Sequence, residues 1–163
     1  MNATHNRTLV QTIVVDREPG RILLGLHKTG RWQGYYTGLL DEVRPGEQPQ
    51  LAAFRIAREQ AGIEVADCAH LATFRFVSPA WGVADEFEFL AESHSGQARE
   101  SATLLPEWFA IEAIPYGQMP ADDALWYPDF LERQRMRGAF NFAEDGKTLV
   151  SHTLEKLDSP PPT

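Results

Sequence analysis

The stretch from Glu47 to Ile63 constrains this chain more than any other, because its punctuation leaves the backbone little choice. Pro49 suits the first turn of a helix, where a missing N–H removes no intrahelical bond. Gly62 suits the position just past a helix end, where a left-handed residue closes the last turn. Between them nothing breaks a helix, and Ala53, Phe54, Ala57 and Ala61 recur on one face. The spacing predicts a helix over Pro49–Ala61 whose small apolar face packs on a sheet.

The sheet is legible on both sides of that helix. Thr8–Val15 is β-branched and apolar, Glu18-Pro19-Gly20 is a turn signal, and Arg21–His27 reads as the partner strand of a hairpin. Lys28–Thr37 is a Gly- and aromatic-rich loop, Gly38-Leu39-Leu40 a short extended piece, and Asp41–Gln48 an acidic turn. His70–Val77 and Val83–Ala91 alternate as strands, and Glu107–Ile111 follows them. A second helix is expected over Asp129–Met136, with Asp123 as an earlier start. Gly138–Phe142 and Thr148–Leu154 close the chain as a hairpin. Strands interrupted by two helices point to an α+β fold of layered α/β/α type with a mixed sheet.

The length of 163 residues suits one domain, expected over 1–157, with the Pro-rich end 158–163 read as a disordered tail. A net charge of −8 argues against a duplex nucleic-acid binder, which needs a basic face. It is compatible with a nucleotide held through divalent cations. No apolar run is long enough to span a bilayer, and Met1–Arg7 carries no apolar segment of a secretory signal. The one cysteine, Cys68, suits a reducing compartment, so a cytoplasmic location is expected. Asn2-Ala3-Thr4 and Asn6-Arg7-Thr8 match the glycosylation pattern but read as chance matches without a secretory signal. Oligomeric state is not set by any pattern in the chain.

The helix and its flanks resemble the box of the Nudix hydrolase superfamily, Gly-x5-Glu-x7-Arg-Glu-U-x-Glu-Glu-x-Gly-U with U apolar. Glu47, Arg55, Ala57, Glu59, Gly62 and Ile63 fall in register. Gly38 stands for the opening glycine, with eight residues rather than five before Glu47, as if three were inserted over Asp41–Gly46. Ile22-Leu-Leu-Gly-Leu, Gly30-Arg-Trp-Gln-Gly, Trp108-Phe109, Ile114-Pro115-Tyr116, Asp122-Asp123 and Trp126-Tyr127-Pro128 are similar, in order, to motifs of the MutT homologues. Those are the 8-oxo-dGTP diphosphatases, which hydrolyse oxidised purine nucleoside triphosphates. The resemblance runs from Thr8 to Leu157.

It implies a Mg²⁺- or Mn²⁺-dependent hydrolysis of a nucleoside triphosphate to monophosphate and pyrophosphate, the metals held by carboxylates at helix positions 56, 59 and 60. Here the pattern departs: those positions hold Ile56, Glu59 and Gln60. An apolar side chain binds no Mg²⁺ and an amide binds it weakly. A further family ligand aligns with Thr103 and is also missing. Glu59 remains as metal ligand or lone surface acid, Thr37 can offer a backbone carbonyl, and Glu47 and Arg55 read as an ion pair pinning the box loop to its helix. Asp41, Glu42, Glu86 and Glu88 are conceivable replacement ligands, each also readable as a solvated surface carboxylate.

The resemblance also implies a base pocket. Asp122 and Asp123 match the acid pair that reads a purine edge. One of two adjacent buried carboxyls can keep its proton and donate while the other accepts. Read from the residues alone, the same pair is a helix N-cap with a first-turn acid. Trp126 matches a ring that stacks on the base and is also a natural core residue. Thr8 and Phe74 align with pocket-lining positions, and Gln33 replaces the family's Asn. The family's opposing Trp is absent from Pro120-Ala121-Asp122-Asp123, and Tyr35, Tyr36 or Trp81 can stand in. The expected function is a Nudix hydrolase-like protein for a purine nucleoside triphosphate. The competing expectation is a Nudix-fold binder or sensor that has lost its metal site.

Overall fold

The computed structural model describes residues 6–158; the tail beyond Asp158 and the first five residues lie outside them. Among the described residues, nine strands form one mixed sheet. Its backbone is β1 (Asn6–Asp16), apolar on both faces and correspondingly buried from Val10 to Val15. On one side β1 pairs in parallel with β7 (Gly82–Ala91), Asn6 to Val14 against Val83 to Ala91. On the other it divides its edge. Leu9–Thr12 pair with β4 (Leu39–Glu42), and Val14–Asp16 pair with β2 (Arg21–His27).

The sheet continues outward in both directions. β2 also pairs with β3 (Tyr36–Thr37) and β9 (Leu104–Ala110). β7 pairs antiparallel with β6 (Ala69–Ser78), and β6 pairs in parallel with β10 (Met136–Phe142), which closes the hairpin with β11 (Leu149–Lys156). A separate ribbon joins β5 (Glu64–Val65) to β8 (His94–Ser95), two short strands that carry no sequence signal of their own.

Two helices cover opposite faces, which gives the expected α/β/α layering. α1 (Pro49–Ala61) has the expected bounds, and Gly62 closes it at φ 69°. Its buried Ala52, Ala53, Ile56, Ala57 and Ala61 pack against Val10, Val14, Leu23 and Phe89. Small side chains let the helix lie close to the sheet, and the Thr12 hydroxyl donates to the Ala53 carbonyl at 2.9 Å across that contact. Phe54 is only partly buried. α2 (Asp123–Leu131) covers the opposite face with Trp126, Tyr127, Phe130 and Leu131 against Ile13, Phe74 and Phe140.

The expected helix over Asp129–Met136 is therefore corrected to the earlier start. The large apolar groups that can anchor a helix lie at 126, 127, 130 and 131, while 132–135 are polar. The chain turns at Arg133, φ 64°, and Met136 already begins β10.

Strand alternation sets what each face carries. Leu9, Gln11, Ile13 and Val15 of β1 and Ala84, Glu86, Glu88 and Leu90 of β7 point to the α2 side. A row of polar side chains in the middle of that face, Gln11, Glu86 and Glu88, is thereby carried beneath α2.

Candidate functional site

On the α2 side the sheet leaves a small cleft. Leu9, Phe76 and Ala84 make an apolar floor, Trp32 and Trp81 stand at the rim, and Gln11, Glu86, Asp122 and Asp123 supply the polar wall. A concavity that joins an apolar floor to a few convergent polar groups is a usual form of small-molecule site. Arg31 stacks its guanidinium over Trp81, 4.2 Å from the ring centroid, and Lys147 sits over Trp32 at 4.3 Å. Cationic groups thus ride on both rim aromatics.

The acid pair is held from below. Asp122 and Asp123 are 2% and 3% exposed. Asp122 receives the Trp126 indole N–H at 2.8 Å. Burial pushes the Asp122 carboxyl above its ordinary range, partly offset by that bond. Asp123 is pushed further up, by burial first and then by the charge of Asp122 beside it. Asp123 Oδ2 has no protein partner, although it is buried and its residue lines the cleft. An unmatched buried carboxyl oxygen costs about 1–3 kcal/mol unless something binds it.

Gln11 organises the other half of the wall. Its Oε1 accepts from the Gly38 N–H and the Tyr127 hydroxyl, both at 2.7 Å. Its Nε2 donates to Glu88 at 2.7 Å and Glu86 at 3.2 Å. Gly38 has to be glycine for this, since a Cβ there would stand 2.8 Å from Gln11 Oε1. Burial raises both glutamates: Glu86 to about 7, and Glu88 further still with the neighbouring Glu86 adding to it. The expectation that Glu86 and Glu88 are solvated surface carboxylates is corrected. They are 7% and 0% exposed, because the parallel pairing of β7 with β1 places them inside the sheet under α2.

The box on α1 is built differently. Arg55 grips Glu47 with two bonds, Nε to Oε2 at 2.8 Å and Nη2 to Oε1 at 2.9 Å, and also donates to the Glu42 carbonyl. These bonds hold Glu47 down to about 2. Glu59 is half-exposed and already engaged: Arg55 reaches Oε1 at 3.1 Å, and Arg44 donates to both oxygens at 3.0 Å. Partial desolvation raises the Glu59 carboxyl, but the two guanidinium groups outweigh it and leave the group lowered. Ile56 is fully buried in the core. Gln60 accepts from the Leu40 N–H at 3.0 Å and donates to the Leu40 carbonyl at 2.7 Å, so its amide splices β4 to the helix.

Of the expected site residues, the structure brings Asp122, Asp123 and Thr37 to the cleft. Thr37 is 2% exposed, with its hydroxyl 2.6 Å from His27 Nε2. Trp126, expected to stack on the base, is completely buried and offers no free face to the cleft, and its indole N–H is bonded to Asp122. Phe74 is likewise in the core, against Trp126 at 4.9 Å between centroids. Thr8 lies on a separate open groove with Arg7 and Arg44, and Gln33 is exposed on a turn closed by its own N–H to Gly30. Trp81, named as a stand-in aromatic, lines the cleft, whereas Tyr35 and Tyr36 do not. Sequence reasoning missed Gln11. Its signal was a lone amide in an otherwise apolar strand centre.

A family model described as the NUDIX domain matches residues 6–134. The chain belongs to the NUDIX family. This NUDIX chain is 35% identical over 150 residues to a curated protein of Danio rerio named oxidized purine nucleoside triphosphate hydrolase, covering 90% of this chain and 94% of that one. It is 34% identical over 152 residues to the protein of the same name from Mus musculus, covering 91% and 95%. Its fold matches the crystal structure of the MutT protein from Bacillus halodurans with a TM-score of 0.79 at 23% identity, over 91% of this chain and 97% of that one.

NUDIX hydrolases in general work with divalent metal ions. The α1 residues of this chain do not fit that group as they stand. The Gln60 amide is spent on Leu40, Ile56 is core, and Glu59 faces two guanidinium groups. Among the described residues, no group of three or more His, Cys, Asp or Glu side chains is arranged to hold a metal. No helix among them is long and apolar enough to cross a membrane.

Proposed function

We propose that this NUDIX chain takes a purine nucleoside triphosphate, oxidised purines included, with the base in the cleft between the Asp122–Asp123 pair and the aromatic rim. On this reading it cleaves the triphosphate to the monophosphate and pyrophosphate. The observation that carries the reading is the buried acid pair with Asp123 Oδ2 unmatched at the cleft. One member keeps its proton and donates to an oxo group while the other accepts a ring N–H. Trp126 fixes Asp122 from below, so the pair is oriented before the ligand arrives and little ordering is needed on binding. Trp32 and Trp81 supply the rim on which a flat ring rests.

The curated relatives named as oxidized purine nucleoside triphosphate hydrolases support the same substrate class. A second reading, binding without turnover, is favoured by one observation: Glu59 is neutralised by Arg44 and Arg55. A panel of nucleoside triphosphates and dinucleotides, with Mg²⁺ and with Mn²⁺, separates the two when scored for both melting shift and phosphate release. Stabilisation follows ligand concentration over Kd. A melting shift that Asp123→Asn removes, together with pyrophosphate release, is the expected result. A shift without release establishes the second reading, and neither one rejects the cleft as a nucleotide site.

A further inference from the structure

The cleft wall holds a carboxyl that the acid-pair reading does not use. Glu86 comes from β7, on the opposite side of the cleft from α2, and it lines the same cavity as Asp122 and Asp123. It is 7% exposed, and its only hydrogen bonds are to the Gln11 amide at 3.2 Å and to its neighbour Glu88. It is also a placed group. Gln11 cannot rotate away, because its carbonyl is held by the Gly38 N–H and the Tyr127 hydroxyl. Glu88 beneath is pinned by the shorter bond, 2.7 Å from Gln11 Nε2. These bonds hold Glu86 at the cavity wall, and Glu88 Oε2 behind it is left unmatched.

Counting donors and acceptors sets the ligand chemistry. One oxygen of Asp122 is taken by Trp126, and Asp123 Oδ2 is unmatched. Glu86 adds a third carboxyl to the wall, and each of the three keeps at least one acceptor oxygen whether or not it carries a proton. The wall is acceptor-rich beyond what one ring N–H and one oxo group can satisfy. A base carrying an exocyclic amino group next to a ring N–H matches it, and a base lacking that amine leaves a buried acceptor unpaired. Sites built to hydrogen-bond a substrate group discriminate strongly against the analogue without it.

We propose that Glu86 is a specificity-determining residue of the cleft, selecting purines that bear an exocyclic amine beside the lactam N–H. The inference rests on the cleft being the base site of the proposed function. The positioning of Glu86 by Gln11 explains why an amide stands in the apolar centre of β1.

The test uses α,β-methylene analogues of dGTP and dITP, which differ by the 2-amino group alone and do not turn over, with affinities measured by calorimetry on the full chain. Wild type binds the amino-bearing analogue at least about tenfold tighter, as one hydrogen bond to a buried acid implies. Glu86→Val brings the two affinities within about twofold by weakening the dGTP analogue and leaving the dITP analogue nearly unchanged. Glu86→Gln keeps the volume and gives an intermediate ratio, and it serves where the valine variant folds poorly. Equal wild-type affinities, or a ratio that survives Glu86→Val, overturn the proposal while the cleft reading stands. If neither analogue binds wild type, the cleft reading fails and takes this inference with it.

Discussion

At the scale of single residues, the site turns on which polar atoms are already spent. Gln60 shows this best. Its position invites comparison with an acid, yet its amide both donates to and accepts from Leu40, as no carboxylate can. Gln60→Glu therefore sets a carboxylate oxygen against the Leu40 carbonyl in a site that is only 9% exposed. The expected loss of stability is about 1–3 kcal/mol at pH 7, shrinking near pH 4 where the new carboxyl is protonated and can donate again. Urea unfolding at the two pH values checks it. Equal stability of variant and parent at pH 7 means the splice between β4 and α1 contributes nothing. The two buried glutamates of β7 carry the same lesson in reverse. Alternating Glu86 and Glu88 on a strand read as a solvated face, and nothing in the local pattern distinguishes that from a polar row buried under a helix. What buries them is long-range: β1 pairs in parallel beside β7, and α2 lies across both.

At the scale of elements, legibility followed punctuation. α1 was fully legible because Pro49 and Gly62 are unambiguous at its two ends. α2 was not, because Pro128 inside it and the run of polar residues after Leu131 blur both ends, and its position is decided by Trp126, Tyr127, Phe130 and Leu131 finding the sheet. The acid pair at its start was legible through the family resemblance, whereas the aromatic rim came from two loops whose meeting no spacing encodes. The box loop is a further element whose order depends on one side chain. Arg55 ties Glu47 and the Glu42 carbonyl to α1, with its own side chain 9% exposed and that of Glu47 16%. Removing it leaves Glu47 with only the Arg44 backbone N–H, at 3.0 Å. Arg55→Ala should cost about 2–4 kcal/mol, because losing one partner of a largely buried pair strands the other. Amide exchange should accelerate over residues 42–48 before the strands respond, since Arg55 supplies the side-chain bonds that tie the loop to α1. Uniform acceleration through β1 and β7 instead would mean that Arg55 supports the whole fold rather than the loop.

At the scale of the whole molecule, the buried acids set a pH dependence with a definite sign. Glu86, raised to about 7, and Glu88, Asp122 and Asp123, raised by burial and by one another, all bind their protons more tightly folded than unfolded. Such groups stabilise fully below their unfolded pKa, and that contribution is lost as pH rises through the folded one. Glu47, Glu59, Glu92 and Asp145 are lowered and act in the opposite sense, contributing above their unfolded values and failing as pH falls. The groups facing the cluster are Gln11 from β1, Trp126 and Tyr127 from α2, Tyr116 before it and Arg31 at the rim, and among the described residues no lysine or arginine is paired to the four acids. The two sets together place the stability maximum on the acid side of neutrality. Unfolding free energy should then fall by on the order of 1–3 kcal/mol between pH 5.5 and pH 8.5. Glu86→Gln should flatten that fall, because one group no longer has to ionise inside the fold, and should raise the melting temperature at pH 8.5 relative to the parent. A parent whose stability climbs steadily from pH 5.5 to pH 8.5 would falsify the buried, proton-sharing state of the four carboxyls, and with it the donor that the acid pair needs to read an oxo group.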